Sequence, residues 1–320
     1  MKSIAFILIF ISPPFLKKLL LRWFFSAQMG DHVHIGWFSA IMADKINLGE
    51  YSTIRPLTLV KLEGKFHLGA YSEISSFTLI YGSSDLFIGD QCYIGPQCLI
   101  NVDEVVEIEH ESALGARCMV FTHGSFYPYT EGYWVKLAGV HLGSRVWCAA
   151  GVFIHPGIEI GKNTFVNSGS VVSQSLPPES IAEGNPARVV YPMNRVKRDM
   201  SSKHVDLALE KVLQEFAEIC LQRELKIESV QTSRRELRFY WKGKPYVVMI
   251  IPSTIDVNNV LELDRKARYI FLSNCQKWIA PEGSLIFDLV HMRARYHSDP
   301  IHSAFRRFAL RYFGMKFKAL

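Results

Sequence analysis

Residues 119–134 read MVFTHGSFYPYTEGYW, and His123 is the side chain in that stretch equipped to move protons. Imidazole titrates near neutrality, so it can take a proton from an attacking hydroxyl and return it to a leaving group. Such a base needs a neighbour to orient its ring. Asn101 and Asp103 are the first candidates, and Glu131, inside the same stretch, is a third. Tyr127, Tyr129, Tyr133 and Trp134 add flat apolar surface that suits either a sugar ring or packing against the protein itself. A loop histidine alone is ordinary. The question is what would bring these residues together.

A repeat does so. LGEYS from Leu48, LGAYS from Leu68, IGDQC from Ile88, IGPQC from Ile94, LGARC from Leu114, LGSRV from Leu142 and IGKNT from Ile160 share one grid. An apolar residue comes first, Gly usually follows, and a small or β-branched residue stands four places after the first. CAAGV from Cys148, IHPGI from Ile154 and VNSGS from Val166 keep the spacing more loosely. This pattern predicts a triangular β-solenoid. Three short parallel strands form each coil, the anchor points inward, the next position turns the corner, and coils stack at strand spacing. Cys92, Cys98 and Cys118 fall where other repeats carry Ser or Thr, so they read as small fillers rather than reactive thiols.

A longer period locates His123. Anchors Leu48, Leu68, Ile88 and Ile108 recur every twenty residues rather than eighteen. One corner of each coil therefore holds two extra residues, near 61–64, 81–85 and 101–105. After Val120 the same step widens to twenty-two residues and ends at Leu142, after which the anchors return to sixes. His123 opens this enlarged corner, and Asn101 and Asp103 occupy it one coil earlier, one strand spacing away.

Composition narrows the classes. The 320 residues are 49% hydrophobic and 21% charged, as in a globular protein of one or two domains. A net charge of +6 without a dense basic stripe argues against nucleic acid and suits an anionic small molecule or an acidic membrane surface. Six cysteines with no CxxC pair give no disulfide framework. IAFILIFISPPFLKKLLLRWFF begins like a signal peptide, but Pro13 and Pro14 interrupt it and no small-residue cleavage site follows. The run before the prolines is too short to span a bilayer. Residues 1–28 therefore read as an N-terminal helical segment, with two roles open. One is a cap on the domain; the other is a basic, aromatic surface making peripheral contact with the cytoplasmic face of the membrane.

The run VWCAAGVFIHPGIEIGKNTFVNSGSVVSQSLPPESIAEGNPARVV from Val146, with its TH-containing loop upstream, resembles the hexapeptide-repeat acyltransferases. The likeness is to the branch of maltose, galactoside and polysaccharide O-acetyltransferases, over roughly residues 30 to 193. It implies a left-handed parallel β-helix, an exception to the right-handed crossover rule. It further implies a cytoplasmic homotrimer that uses acetyl-CoA and no metal to acetylate a hydroxyl of a sugar or of a polysaccharide or lipopolysaccharide precursor. His123 would be the general base, with Asn101 or Asp103 beside it. The pantetheine arm would run along Ala150, Gly151, Ser168 and Gly169, next to Trp147, and Arg188 would meet the CoA phosphates. Gln174 departs from the family, whose VTK is VSQ here, and that removes an expected phosphate contact. His155 stands where the family has a different residue and reads as an exposed corner.

The expected domains are 1–28, the β-helix over 29–193, and a C-terminal α+β domain over 194–320 whose role is not legible. The last should hold a helix near 205–224, a hairpin around Lys242-Gly243-Lys244, strands in ARYIFLS and SLIFDLVHM, and a basic amphipathic helix from His302. Asp288, His291 and His302 form no recognisable constellation there. Two other classes compete with acyl transfer. A metal-dependent carbonic-anhydrase-like solenoid needs three converging histidines, and none lies between His123 and His141. A non-catalytic trimeric scaffold leaves the aromatic loop unexplained. N-acylation of an amino sugar stays open beside O-acylation.

Overall fold

A computed structural model of the chain describes residues 2–124, 127–134, 136–255, 263–264, 266–295 and 297–318. The chain divides into two compact units, Met1–Arg198 and Asp199–Leu320.

In the first unit the repeat becomes three sheets, visited in rotation. The first face carries Lys45–Leu48, Lys65–Leu68, Leu86–Ile88, Val106–Ile108, Val140–Leu142 and Glu159–Ile160, with Gln28–Met29 at its edge. The second face includes Thr53–Ile54, Glu73–Ile74, Tyr93–Ile94, Ala113–Leu114, Trp147–Cys148 and Phe165–Val166. The third includes Leu59–Leu62, Leu79–Gly82, Leu99–Asn101, Met119–Val120 and Phe153–Ile154. All these pairings are parallel and place anchor on anchor: Leu48 beside Leu68, Leu68 beside Ile88, Ile88 beside Ile108, Ile108 beside Leu142. The anchors are no more than 1% exposed and form one continuous core.

Two expectations about the repeat are corrected by the geometry. The Gly after the anchor is not where the chain turns. A Cβ on Gly69 would lie 2.4 Å from the backbone carbon of Gly89, so that glycine lets successive coils approach. The left-handed turn comes two residues later, at Tyr51 (φ 54°), Tyr71 (φ 55°), Gln91 (φ 56°) and Glu111 (φ 63°). Nor is the small residue at the fourth place only a filler. Ser72 Oγ donates to the Gly89 carbonyl at 2.7 Å, and the Cys92 amide donates back to Ser72 Oγ at 2.9 Å. Cys92, Cys98 and Cys118 make the same upward bond, each with its sulfur 3.1 Å from a carbonyl of the next coil. At these rungs a short side chain with a donor satisfies backbone groups where strands stop, while Val146 and Val152 hold the same place in later coils by packing alone. Burial drives the Cys148 thiol strongly upward, away from the thiolate form.

Two helices precede the coils, α1 (Lys2–Ile11) and α2 (Pro14–Phe25), with Pro at the first turn of α2. Ala5, Ile9, Leu21 and Phe25 bury into the core of the first unit.

The second unit is a six-stranded mixed sheet in the order Val230–Thr232, Glu236–Trp241, Lys244–Ile251, Arg268–Ser273, Leu285–Asp288, Arg293–Ala294. The middle three run parallel and the outer pairs antiparallel. The hairpin turn falls on Lys242 and Gly243, both with positive φ. α3 (Ser202–Glu215), its wider-coiled continuation Phe216–Glu224, and α4 (Pro300–Phe313) share a core with one face of this sheet. α4 is shorter and less open than its basic sequence suggests. It stops at Gly314 (φ 61°), and Arg306 is buried, donating to the carbonyls of Ala294 and Phe317.

Candidate active site

The widened corner begins as the third face ends. His123–Gly124 forms a short antiparallel pair with Lys136–Leu137, so the loop leaves and returns at the same place. The amide of Ala138 donates to the Thr122 carbonyl at 2.9 Å, and that of Val140 to Val105 at 3.0 Å, which returns the chain to the first face. Among its described residues, the loop between holds one 3-10 turn, Tyr129–Glu131.

His123 meets both upstream candidates. Its Nδ1 lies 2.9 Å from Asn101 Oδ1 and 3.1 Å from Asp103 Oδ2. Asn101 Nδ2 donates to the same Asp103 oxygen at 3.0 Å, which fixes the amide's orientation: its nitrogen must face the carboxylate and its oxygen the imidazole. Both groups at Nδ1 are acceptors, so Nδ1 carries the proton. Nε2 then keeps its lone pair, and among the described residues nothing bonds to it. This is the tautomer a general base requires.

Thr122, which the sequence reading passed over, is the hub beneath. Its hydroxyl donates to Asn101 Oδ1 at 2.7 Å and accepts from the amides of Asp103 and Glu104 at 2.9 and 3.1 Å. Asn101 and Thr122 are both fully buried. The signal was in the column: Leu62 and Val102 bury apolar side chains three coils and one coil before Thr122, which puts a hydroxyl in their place. Phe121 adds a wall, its ring 6.1 Å edge-on from His123 and stacked at 5.4 Å on Phe153.

Glu131 is not brought in: it is exposed and makes no hydrogen bond or ion pair with His123. The loop aromatics are exposed as well, with Tyr127 and Tyr133 in mutual contact at 4.5 Å between ring centres. His155 is half-buried, 5.0 Å from Phe153, rather than open.

The residues nominated for a cofactor divide into two groups. Ala150, Gly151, Ser168 and Gly169 share one corner between the second and third faces, where the Gly169 amide donates to the Ala150 carbonyl at 2.9 Å. In earlier coils that corner carries side chains, and Arg117 Nε donates to Gln97 Oε1 at 2.8 Å across it. Gly151 (φ 72°) and Gly169 (φ 70°) strip the last coils bare, and a Cβ at Gly169 would meet nothing within 4 Å. A long flexible thioester arm could lie against exposed backbone there. Trp147 is half-exposed three residues before this edge, paired with Phe165. Gln174 and Arg188 are exposed, and Arg188 Nη1 donates to the neighbouring Ala187 carbonyl rather than to another nominated residue.

In the second unit, the sequence's Asp288, His291 and His302 do not form one site. His291 pairs with Asp288 at 2.8 Å on the surface, while His302 is buried against the Phe287 ring, where burial lowers its pKa to about 3. No group of His, Cys, Asp and Glu that could hold a metal occurs among the described residues.

No protein-family model matches the chain. Among curated proteins, it is 38% identical over 79 residues to a Staphylococcus aureus protein named for an inferred acetyltransferase activity, an overlap of 25% of this chain and 38% of that one. It is 38% identical over 55 residues to the galactoside O-acetyltransferase of Escherichia coli, covering 17% of this chain and 27% of the relative. The chain thus spans well under half the length of these relatives. A solved hexapeptide-repeat acetyltransferase of Vibrio cholerae, in complex with acetyl-CoA, aligns at 19% identity and a TM-score of 0.37, covering 60% of this chain and 85% of that one. Within those short matched segments, the chain is similar to acetyltransferases.

Proposed function

We propose that the first unit is a left-handed β-helix acyltransferase that moves an acetyl group from acetyl-CoA to a hydroxyl of a sugar or glycan precursor. The observation that carries this reading is the setting of His123: Nδ1 faces the acceptors Asn101 Oδ1 and Asp103 Oδ2, and Nε2 has no partner among the described residues. In the reaction, Nε2 takes the acceptor's proton as its oxygen bonds to the thioester carbonyl carbon. As the tetrahedral intermediate collapses, the carbon–sulfur bond breaks and the same Nε2 returns the proton to the thiolate. Asp103 offsets the positive charge that develops on the ring between these steps.

The bare corner at Gly151 and Gly169 fits a pantetheine arm, with Trp147 and Arg188 as further contacts and Gln174 supplying no charge. In one chain that corner and His123 border opposite edges of the third face. This supports a site completed by a neighbouring subunit, hence a homotrimer. The exposed Tyr129 and Trp134 would flank the acceptor. Use of acetyl-CoA with a sugar acceptor supports a role in the cytoplasm, in polysaccharide assembly. The test follows thiol release from acetyl-CoA with a panel of hexoses, disaccharides and amino sugars. Turnover with a hydroxyl acceptor that disappears in His123→Ala supports the reading. Turnover with amines alone would reassign it to N-acylation, and full activity without His123 would end it.

A further inference from the structure

α2 carries apolar side chains on both its buried and its exposed sides. Its buried stripe is Lys17, Leu21 and Phe25, while Phe15 and Trp23 stand 80% and 76% exposed. α1 behaves likewise, burying Ala5 and Ile9 and exposing Ile4, Ile7 and Ile11. The inward lysine has a structural explanation. Lys17 Nζ donates to the carbonyls of Ile9, Phe10 and Ser39 at 2.5, 3.1 and 2.7 Å. Two of these belong to the last turn of α1, whose carbonyls have no partner within the helix. Lys17 therefore locks the elbow between the helices and ties it to the first coil. The apolar outer face has no such explanation. A helix that merely capped a solenoid would turn a polar face to water.

We propose that the outward face of the α1–α2 hairpin docks into the headgroup boundary of an anionic lipid bilayer. Apolar and aromatic side chains beside basic ones are what a helix lying in that plane presents. The charge is one-sided: the first thirty residues contain Lys2, Lys17, Lys18 and Arg22 and no Asp or Glu. Among the described residues no helix is long and apolar enough to cross a membrane, so the contact lies along the surface. A second copy of the chain is the poorer occupant. Two-fold pairing would set Lys18 and Arg22 against their own images with no carboxylate in either hairpin. The aromatic pair Trp23 and Phe24, stacked at 5.3 Å, sits on the same helix as these charges.

The test is co-sedimentation of the full chain with vesicles of equal parts phosphatidylcholine and phosphatidylglycerol. Binding should weaken with added salt and on phosphatidylcholine alone. Replacing Lys18 and Arg22 together by Gln should reduce partitioning roughly thirtyfold. Phe15→Ser with Trp23→Ser should reduce it at least about tenfold, with unchanged melting temperatures showing that the fold is kept. Wild-type protein that stays in the supernatant, or binding that both double variants preserve, overturns the proposal. So does a concentration-dependent mass that falls in Phe15→Ser/Trp23→Ser without vesicle binding, since the face would then belong to a second copy. The readout is lipid partitioning, so failure here leaves the acyl-transfer reading untouched, and failure there leaves this one.

Discussion

His123 and His141 flank the same widened corner and both face carboxylates, yet their rings are left in opposite conditions. Among the described residues, His123 is held at Nδ1 alone, by Asn101 and Asp103. His141 is engaged at both ends, with Nε2 3.1 Å from Glu109 and Nδ1 3.8 Å from Glu159. Its strand lies between Val106–Ile108 and Glu159–Ile160, so the ring clasps three successive coils of the first face. On the proposed reading, what suits His123 to act as a base is not its neighbouring carboxylate, which His141 shares, but a ring nitrogen without a partner among the described residues. The largest effect should follow that line. His123→Ala should lower kcat/KM for thiol release by about a thousandfold, and His141→Ala should leave it within about a factor of three while lowering stability. Equal losses would dissolve the distinction.

The next test separates the two holders of Nδ1. Asn101→Ala and Asp103→Ala should each reduce kcat by roughly ten- to a hundredfold with little change in KM, as expected of groups that orient a base. Only the buried Asn101 should also cost stability, about 1–3 kcal/mol, because Thr122 loses its acceptor. Thr122→Val, nearly isosteric, sharpens this further. It strands the amides of Asp103 and Glu104, so it should destabilise by a similar 1–3 kcal/mol while reducing kcat less than about tenfold. A kcat loss as large as that of His123→Ala would make Thr122 more than a support.

These residues also mark where sequence reading stops. The anchors were legible because an inward column admits only apolar side chains, and counting them placed His123, Asn101 and Asp103 at one corner. Spacing has no bearing on which side chain turns inward at a corner, so Asn101's burial was not legible in a column that also holds Lys61 and Tyr81, and Thr122's hub was visible only as a hydroxyl following the buried Leu62 and Val102. Glu131 was nominated because it lies in the same loop, but it is exposed and makes no hydrogen bond or ion pair with His123. The glycines were assigned to turns because Gly often makes them, whereas Gly69 is needed for close approach and Tyr71 makes the turn. In the second unit, alternation gave the strands, but the burial of Arg306 depends on tail carbonyls that no local pattern announces.

The smallest effect tests the other histidine's role as a clasp. The Ser144 hydroxyl, then the His141 ring and the Ser144 amide, hold the Glu109 carboxyl below its ordinary 4.5 against a partial burial penalty. A carboxyl depressed in the folded state releases its proton more readily there than in the unfolded chain. Its stabilisation is therefore present above about 4.5 and is lost as pH falls through the lower folded value. Because the Glu109 side chain is 38% exposed, solvent screening should keep the contribution below about 1 kcal/mol. Glu109→Gln should thus melt slightly below wild type at neutral pH, and the gap should close in acid, while thiol release at neutral pH is unchanged. Melting curves of both proteins across that range decide it. A gap that persists at low pH would mean the loss is one of shape rather than charge. A fall in activity would mean that the clasp under His141 also holds the corner from which His123 acts.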